Sequence, residues 1–235
     1  MSGASSNNAE LREDKFYYGP CGVFKVPEKP RIVGGIEVSP PHTQPWMVLL
    51  RDKLWIKYCG GSLIAERLVL TAGHCQFHSP VVAVFGKHKF TKEDTEVEYG
   101  VKKLHRHPKY KSLGKQRPSV YDYAIAEISE TVVYDNYVQP ICLPFHKLDD
   151  FVGKTMTVLG WGALKFKGPN AKQLMRTNVT VMPQDECREK WNKVWGKIGV
   201  VDYKAAAIFC AADPNNYERD ACKGDSGGML MLLQY

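Results

Sequence analysis

The segment GDSGG, residues 224–228, places a serine between an aspartate and two glycines. A serine hydroxyl hardly ionises at neutral pH, so Ser226 can be a nucleophile only beside a base that a third group orients. A glycine-rich turn without catalytic chemistry is the alternative reading of this segment alone. Whether Ser226 is a nucleophile or part of a glycine-rich turn depends on whether the chain upstream supplies a base and a group that orients it.

Both kinds of partner occur upstream. His74 lies in LTAGHC, at the end of an apolar run, and Asp122 heads another apolar run in VYDYAIAEI. On its own, His74 could be a hydrogen-bonded core histidine and Asp122 the cap of a strand. The order His, Asp, Ser, with Gly224 two residues before the serine, argues against coincidence and predicts a nucleophile, a base and an orienting carboxylate.

The elements that must position these residues are predicted to be short strands. The 235 residues include 20 glycines and 14 prolines, scattered among short runs of Val, Leu, Ile and Tyr, which favours strands over long helices. Runs such as PWMVLL, RLVLTAG and MTVLGWG are typical of strands. A hydrophobic content of 44% and a charged content of 24% are those of a globular protein, and no segment approaches the ~18 apolar residues of a membrane helix.

Seven cysteines without a CxxC pair indicate disulfides formed in an oxidising, extracellular compartment, and they argue against a metal site. Residues 1–20 lack the apolar core of a signal peptide, so a fragment, an incomplete gene model or part of a larger chain is expected. The net charge is +7, and residues 102–117 hold seven Lys or Arg and no acid. A solvated loop is the simplest reading of that segment, and binding of a heparin-like polyanion is the alternative.

The chain resembles the chymotrypsin/trypsin family of serine endopeptidases. The motifs that carry the resemblance run in family order from residue 21 to the C terminus: RIVGG (31–35), PW (45–46), CGGSLI (59–64), LTAGHC (70–75), HPKY (107–110), YDYAIAEI (121–128), QPICLP (139–144), GWG (160–162) and DACKGDSGG (220–228). The resemblance implies an all-β fold of two antiparallel Greek-key β-barrels with the catalytic cleft between them. Residues 1–31 would form a tail and pro-segment and residues 32–235 the protease domain. Because the family continues beyond the serine for several strands, the second barrel is expected to be incomplete at its C terminus.

The resemblance also implies a role for each catalytic residue. Ser226 attacks the scissile carbonyl, His74 takes its proton and returns it to the leaving amine, and Asp122 orients the imidazole. The backbone N–H groups of Gly224 and Ser226 form the oxyanion hole.

For substrate choice, the resemblance puts Asp220 at the base of the primary specificity pocket, where a carboxylate selects Arg or Lys. Ala221 stands where some relatives carry a serine that helps to hold Lys, which tilts the expected preference toward Arg. Lys223 completes the implied substrate-binding residues. The expected partners are protein or peptide substrates and protein protease inhibitors, with no nucleic acid and no membrane.

Activation follows from the same resemblance. Cleavage after Arg31 would free the α-amino group of Ile32, which would insert beside Asp225 and order the oxyanion hole. The implied disulfides are Cys21–Cys142, Cys59–Cys75 and Cys187–Cys210, which leaves Cys222 without an assigned partner.

No cofactor is expected. Calcium-binding relatives carry a glutamate where this chain has Lys87, and the ammonium is predicted to lie near Glu96 in place of the ion, so no metal is expected. The sequon NVT makes Asn178 a candidate glycosylation site, or equally an unmodified strand residue. A non-catalytic protease homologue or truncated isoform that acts as a binding protein is the alternative function.

Overall fold

Short antiparallel strands dominate the chain, as its glycine- and proline-punctuated apolar runs predict. The computed structural model describes residues 21–23, 36–112, 119–144, 151–164, 168–195, 210–213 and 224–232. The strands are β1 (Ile36–Glu37), β2 (Met47–Asp52), β3 (Tyr58–Ala65), β4 (Leu68–Thr71), β5 (Val81–Phe85), β6 (Val97–Arg106), β7 (Lys111–Ser112), β8 (Ser119–Val120), β9 (Ala124–Ile128), β10 (Thr155–Gly160), β11 (Met175–Val181), β12 (Ala211–Ala212) and β13 (Leu230–Met231). Within this described part of the chain, α1 (Gln184–Trp195) is the one α-helix.

Six strands close into an antiparallel barrel in the order β2-β3-β4-β9-β6-β5. Because β5 returns to lie beside β2 while β2, β3 and β4 follow one another, the barrel has Greek-key connectivity. The all-β prediction is confirmed, with little helix and a closed six-stranded barrel. A second sheet runs β1-β11-β10-β13, and β12 pairs with β11 at its side.

Strand β2 joins the two cores of the molecule, and every residue in it is buried. Alternate side chains of a strand point to opposite faces. Val48 and Leu50 accordingly fill the barrel, while Met47 and Leu49 pack in a second core with Trp161 from the other sheet. The continuous run WMVLL in the sequence is therefore a strand with an apolar partner on each face.

Three disulfides connect segments that are distant in sequence: Cys21–Cys142, Cys59–Cys75 and Cys187–Cys210. They join the pairs that the family resemblance implies. The first ties residues 21–23 to the segment after β9, and Gly22 N–H adds a hydrogen bond to Pro140 O at 2.8 Å. Among the described residues, no helix is long and apolar enough to cross a membrane.

A buried ion pair lies in the loop between β5 and β6. Lys87 Nζ contacts Glu96 Oε1 and donates to Thr91 O at 3.3 Å, and the two charged side chains are only 1% and 6% exposed. Glu96 Oε1 also accepts from Glu93 N–H at 3.1 Å. A calcium site needs a cluster of oxygen ligands, so an ammonium at this position does not fit a bound cation. Lys87 supplies the positive charge itself.

Replacing Lys87 alone with methionine is expected to lower the free energy of unfolding by about 3–5 kcal/mol, because Glu96 would stay buried without its cation. The double variant Lys87→Met/Glu96→Leu should recover most of that loss, since it leaves no buried charge. Urea unfolding followed by tryptophan fluorescence measures both values. Equal losses in the single and double variants, or stabilisation of the parent by calcium, would contradict this account of the loop.

Candidate functional site

The turn after β4 carries His74. Cys75 N–H closes this turn on Ala72 O at 3.1 Å, and the Cys59–Cys75 bridge fastens it to β3. Gly73 has no room for a side chain, because a Cβ there would lie 2.8 Å from Cδ2 of Tyr110 and 3.2 Å from Oδ1 of Asp122. A glycine at this position lets the histidine turn approach the aspartate closely.

Asp122 is positioned by an unusual turn between β8 and β9. Tyr121 has a left-handed backbone with φ of 51°, which is uncommon for an aromatic residue, and Tyr123 N–H donates to Tyr121 O at 2.9 Å. The ring of His107 stacks on Tyr121 at 4.9 Å and lies 4.5 Å from Tyr123. These contacts hold the tight turn that has Asp122 at its centre.

His74 and Asp122 meet through two hydrogen bonds. Nδ1 of His74 lies 2.7 Å from Oδ2 of Asp122, and the backbone N–H of His74 donates to Oδ1 at 2.8 Å. An ionised carboxylate only accepts, so Nδ1 carries the proton and Nε2 of the neutral ring is left as an acceptor. The histidine side chain is 41% exposed and the aspartate 27%, so the imidazole can reach a substrate while its orienting partner is half-buried.

The pKa of Asp122 is governed by opposing effects. Burial raises it, but the hydrogen bonds and charge of His74, with the backbone N–H of Gly73, outweigh burial and hold the pKa below its usual value. A lowered pKa keeps the carboxylate ionised at neutral pH, and this form is lost only as the pH falls through that lowered pKa. The pair is therefore intact over the neutral and alkaline range.

Ser226 lies in a turn that is built on β3. Gly60 N–H, in β3, donates to Ser226 O at 2.7 Å, and Gly228 N–H closes the turn on Asp225 O at 2.8 Å. Gly227 has φ of 79°, and a Cβ there would overlap Thr71 Oγ1 and Gly60 O. Ser226 is thus hydrogen-bonded to Gly60 through its backbone carbonyl. Cys59, which precedes Gly60 in β3, is joined by a disulfide to Cys75 in the turn of His74. Two adjacent residues of β3 therefore attach the turn of Ser226 and the turn of His74 to the same strand.

Gly224 forms the other end of this turn, with φ of 104°. A Cβ on it would lie 2.8 Å from the Tyr58 hydroxyl and 2.9 Å from Gly162 Cα. Only a glycine fits a backbone that is both left-handed and enclosed on two sides. The two backbone N–H groups of the predicted oxyanion hole belong to this turn.

The carboxylate of Asp225 lies beneath the turn, against the strand end at Gly160–Gly162. Gly162 N–H donates to Asp225 Oδ1 at 2.6 Å, and a Cβ at either Gly160 or Gly162 would overlap the carboxylate. Both glycines of the GWG motif, Gly160 and Gly162, therefore leave space for the Asp225 carboxylate. The charge of this carboxylate also acts on Tyr58: burial raises the pKa of the Tyr58 hydroxyl, and the nearby charge of Asp225 raises it further.

Other predicted site residues lie elsewhere or outside the described residues. Six residues that the sequence singles out fall outside the described residues: Arg31, Ile32, Asp220, Ala221, Cys222 and Lys223. Asn178 is half-buried in β11, and its Oδ1 accepts from Thr157 Oγ1 at 3.1 Å.

The basic segment, residues 102–117, pairs in part with an acid. Lys102 and His105 both bond to Glu127, at 2.6 and 2.8 Å, and hold the pKa of that carboxyl at about 2.

Among the described residues, no group of three or more His, Cys, Asp or Glu is arranged to hold a metal ion. No role was predicted from the sequence for Gly60, Tyr58 or the glycines of GWG. Their motifs CGGSLI and GWG were visible as family matches. What each glycine makes room for depends on contacts between residues that are distant in sequence.

Comparison with known proteins shows that the sequence is similar to proteases. The family model for Trypsin matches residues 32–234. The serine protease filzig of Drosophila melanogaster is 34% identical over 222 residues, which cover 90% of this chain and 12% of that protein. The proclotting enzyme of Tachypleus tridentatus is 28% identical, over 90% of this chain and 57% of its own length. A venom protease of Bombus pensylvanicus is 32% identical, over 81% of this chain and 78% of its own.

Proposed function

The chain belongs to the trypsin family of serine proteases, and from this premise we propose that it is a serine endopeptidase that cleaves peptide bonds after arginine or lysine. The observation that carries the proposal is the paired attachment of the site to β3. Cys59 is bonded to the turn of His74, and Gly60 to Ser226, while Asp122 orients the imidazole. This constellation suits acyl transfer, in which an activated serine attacks a carbonyl.

The reaction would proceed in two halves. Nε2 of His74 takes the Ser226 proton as Oγ attacks the scissile carbonyl, and the backbone N–H groups of Gly224 and Ser226 stabilise the oxyanion. The imidazolium, stabilised by Asp122, then protonates the leaving amine and leaves an acyl-enzyme. Water, deprotonated by His74, attacks this ester and releases the acid.

Specificity for a basic side chain rests on Asp220. A carboxylate at the base of a pocket pairs with Arg in a bidentate way and with Lys as a point charge. Ala221 removes a hydroxyl that would help Lys, so Arg is the preferred residue. Lys223 would contribute to the binding of the substrate.

We also propose that the protein is made as a zymogen with residues 1–31 as tail and pro-segment, cut after Arg31. The Cys21–Cys142 bridge would keep part of the pro-segment attached after cleavage. Three disulfides, and relatives named as venom and clotting proteases, support a secreted protein with polypeptide substrates. Protein protease inhibitors as partners stay a prediction. Glycosylation of Asn178 stays a prediction, as does polyanion binding by residues 102–117, two of whose side chains already pair with Glu127.

The proposal is tested with short peptides that release a chromophore after Arg, Lys or Leu, using protein cut after Arg31. We expect turnover after Arg to exceed turnover after Lys, and turnover after Leu to be absent. Asp220→Asn should lower kcat/KM for Arg by at least about 10²-fold, since one lost charge-assisted pair is typically worth about 3 kcal/mol or more. Glu218→Gln is the matched control, because it removes a neighbouring carboxylate of the same sequence segment.

Ser226→Ala sets the background of this assay. Turnover that survives Ser226→Ala would show that another protein is responsible. A folded protein that hydrolyses none of the peptides would instead support the non-catalytic binding homologue.

A further inference from the structure

Three consecutive residues at the start of β3 contact the turns that carry the candidate catalytic groups. Cys59 is joined by its disulfide to the turn of the predicted base, and Gly60 N–H donates to Ser226 O. Tyr58 directly precedes them in the chain, and its hydroxyl lies beside Gly224. One short stretch of β3 therefore touches the predicted base, the predicted nucleophile and the predicted oxyanion hole.

Tyr58 and Gly60 lie on the same face of β3, because alternate residues of a strand point to the same side. The turn of residues 224–228 lies across that face. A Cβ on Gly224 would be 2.8 Å from the Tyr58 hydroxyl oxygen and 3.2 Å from its Cε2, and a Cβ on Gly60 would be 2.8 Å from Gly228 N. The phenol end of Tyr58 thus occupies the space into which a side chain at position 224 would extend.

Gly224 is enclosed between the Tyr58 hydroxyl and Gly162, whose Cα would lie 2.9 Å from the same Cβ. Gly162 is fixed by its own backbone. Its N–H donates to Asp225 Oδ1 at 2.6 Å, and its carbonyl oxygen accepts from Ala171 N–H at 2.9 Å. One side of Gly224 is therefore fixed backbone, whereas the other side is a side chain that must be held separately.

The Tyr58 side chain is held both at its ring and at its hydroxyl. The ring packs edge-on against Phe90, with the ring centres 5.1 Å apart, and the hydroxyl donates to Trp161 O at 3.4 Å. Trp161 is fully buried, and its indole N–H donates to His88 O at 2.9 Å, so the accepting carbonyl belongs to an anchored residue. These contacts keep the hydroxyl beside Gly224.

The conformation of Gly224 sets the direction of one donor of the predicted oxyanion hole. The residues after it are fastened, because Ser226 O is bonded to β3 and the Asp225 carboxylate is bonded to the GWG segment. With that side of the chain fixed, the φ angle of Gly224, 104°, determines where its N–H points. Glycine adopts many φ values at similar energy, so contacts from outside must hold this angle.

We propose that Tyr58 is a positioning residue for the oxyanion hole, whose hydroxyl limits the rotation of Gly224 and so keeps its N–H directed at the substrate carbonyl oxygen. The inference rests on the proposed function, because this donor matters only for acyl transfer. A donor that is aligned before the reaction stabilises the developing oxyanion without reorganisation during it. The contacts of the hydroxyl are to the turn and to Trp161 O, and they do not involve the substrate.

The test replaces Tyr58 with phenylalanine in protein cut after Arg31 and measures turnover of a short chromogenic Arg peptide. The value of kcat should fall about tenfold, less than the roughly 10²–10³-fold typical for loss of a whole donor, since the N–H is misaligned and not absent. KM should change less than about twofold, because the interaction acts in the transition state. Tyr99→Phe is the matched control and should keep the parental kcat. That ring also packs edge-on, against Phe85 at 5.6 Å, and its hydroxyl accepts from Val133 N–H at 3.5 Å.

Two kinetic outcomes would overturn the inference and leave the proposed function standing. The first is an unchanged kcat in Tyr58→Phe. The second is a raised KM at unchanged kcat, because the hydroxyl would then act on the binding of the substrate.

The pH profile separates positioning from proton transfer. Burial raises the pKa of the Tyr58 hydroxyl and the charge of Asp225 raises it further, so the hydroxyl stays protonated at neutral pH. The parent and Tyr58→Phe should therefore have profiles of the same shape, offset by the fall in kcat. An alkaline limb that changes in Tyr58→Phe would assign proton transfer to the hydroxyl and contradict a positioning role.

Nuclear magnetic resonance on cut protein with isotopically labelled glycine measures the mobility of Gly224 without any turnover. The backbone order parameter of Gly224 should be about 0.85 in the parent and in Tyr99→Phe, and below about 0.6 in Tyr58→Phe. If no peptide is cleaved, the proposed function fails and this measurement decides the inference. A lower order parameter in Tyr58→Phe alone would support it, and equal order parameters in Tyr58→Phe and the parent would overturn it.

Discussion

Replacing Asp122 with asparagine is expected to lower kcat by about 10⁴-fold, the magnitude known for this substitution in the type enzyme of the family. An asparagine can present its amide N–H to Nδ1 of His74, which would leave the ring proton on Nε2. The ring could then no longer take the proton from Ser226. KM should change little, because Asp122 contacts the imidazole and the backbone of the histidine turn, and these contacts do not involve the substrate. Single-turnover and steady-state kinetics on a short Arg peptide separate the two constants.

The acidity of the carboxyl gives this prediction a second readout. Burial raises the pKa of Asp122, but hydrogen bonds and charge from His74 hold it below its usual value, so kcat of the parent should lose the contribution of this carboxylate only in acid solution, below that usual value. Asp94→Asn removes an exposed carboxylate elsewhere on the surface and serves as the control. An Asp122→Asn enzyme with near-parental kcat would mean that His74 is oriented by something else.

The sequence was sufficient to predict the all-β fold, because strand patterns are local, and it also singled out three candidate catalytic residues. His74, Asp122 and Ser226 each stand in a short motif whose residue types suit acyl transfer. Apolar runs bounded by glycine and proline likewise indicate strands. The run WMVLL was predicted as one of these strands, and the structure adds that its two faces belong to two different cores.

The means by which the site is held together could not be read from the sequence. Gly60 has a polar contact to Ser226, and Gly73 makes room for Tyr110 and Asp122, and neither contact is local in the chain. The left-handed backbone at Tyr121 could not be predicted from the sequence either, since tyrosine does not favour this conformation. Tertiary contacts, such as the stacking of His107, override the local preference there.

The exposed apolar turn between β2 and β3 could not be predicted from its sequence either. In RDKLWIKY, the apolar residues Leu54, Trp55 and Ile56 could continue a strand as readily as form a turn. The decisive interaction is the pair of hydrogen bonds from the turn backbone to the carboxylate of Asp52. An aspartate that begins a turn and accepts from the backbone beyond it is a known turn-former, and it is the one local signal that was available.

Asp225→Asn is expected to abolish the gain in activity that follows cleavage after Arg31. If the freed α-amino group of Ile32 pairs with Asp225, the carboxylate links activation to the turn that carries Gly224 and Ser226. The asparagine variant should then lose about 10²–10³-fold in kcat/KM, the cost of one missing oxyanion-hole donor. The uncut protein should change little, because it has no free amino group at Ile32 and the amide oxygen of asparagine can still accept from Gly162 N–H. Rates before and after cleavage, measured on both variants, give the comparison.

Glycine variants test the same link without removing the charge. A Cβ at Gly162 would overlap the Asp225 carboxylate, so Gly162→Ala should reproduce the loss. Gly153→Ala is the control, because no atom lies within 4 Å of a Cβ built there, although its backbone with φ of 77° adds a small local strain. Full activity in cut Gly162→Ala protein would mean that the carboxylate position is unimportant.

The pH profile provides the last discriminating measurement. A free α-amino group has a pKa of about 8, and pairing with a carboxylate raises that value in the active enzyme. Activity that depends on the ammonium is therefore complete below pH of about 8 and falls as the pH rises through the raised pKa. The cut parent should lose activity in this alkaline range, whereas the residual activity of Asp225→Asn should not follow it. An alkaline limb shared by both proteins would assign the titration to another group and separate Asp225 from activation.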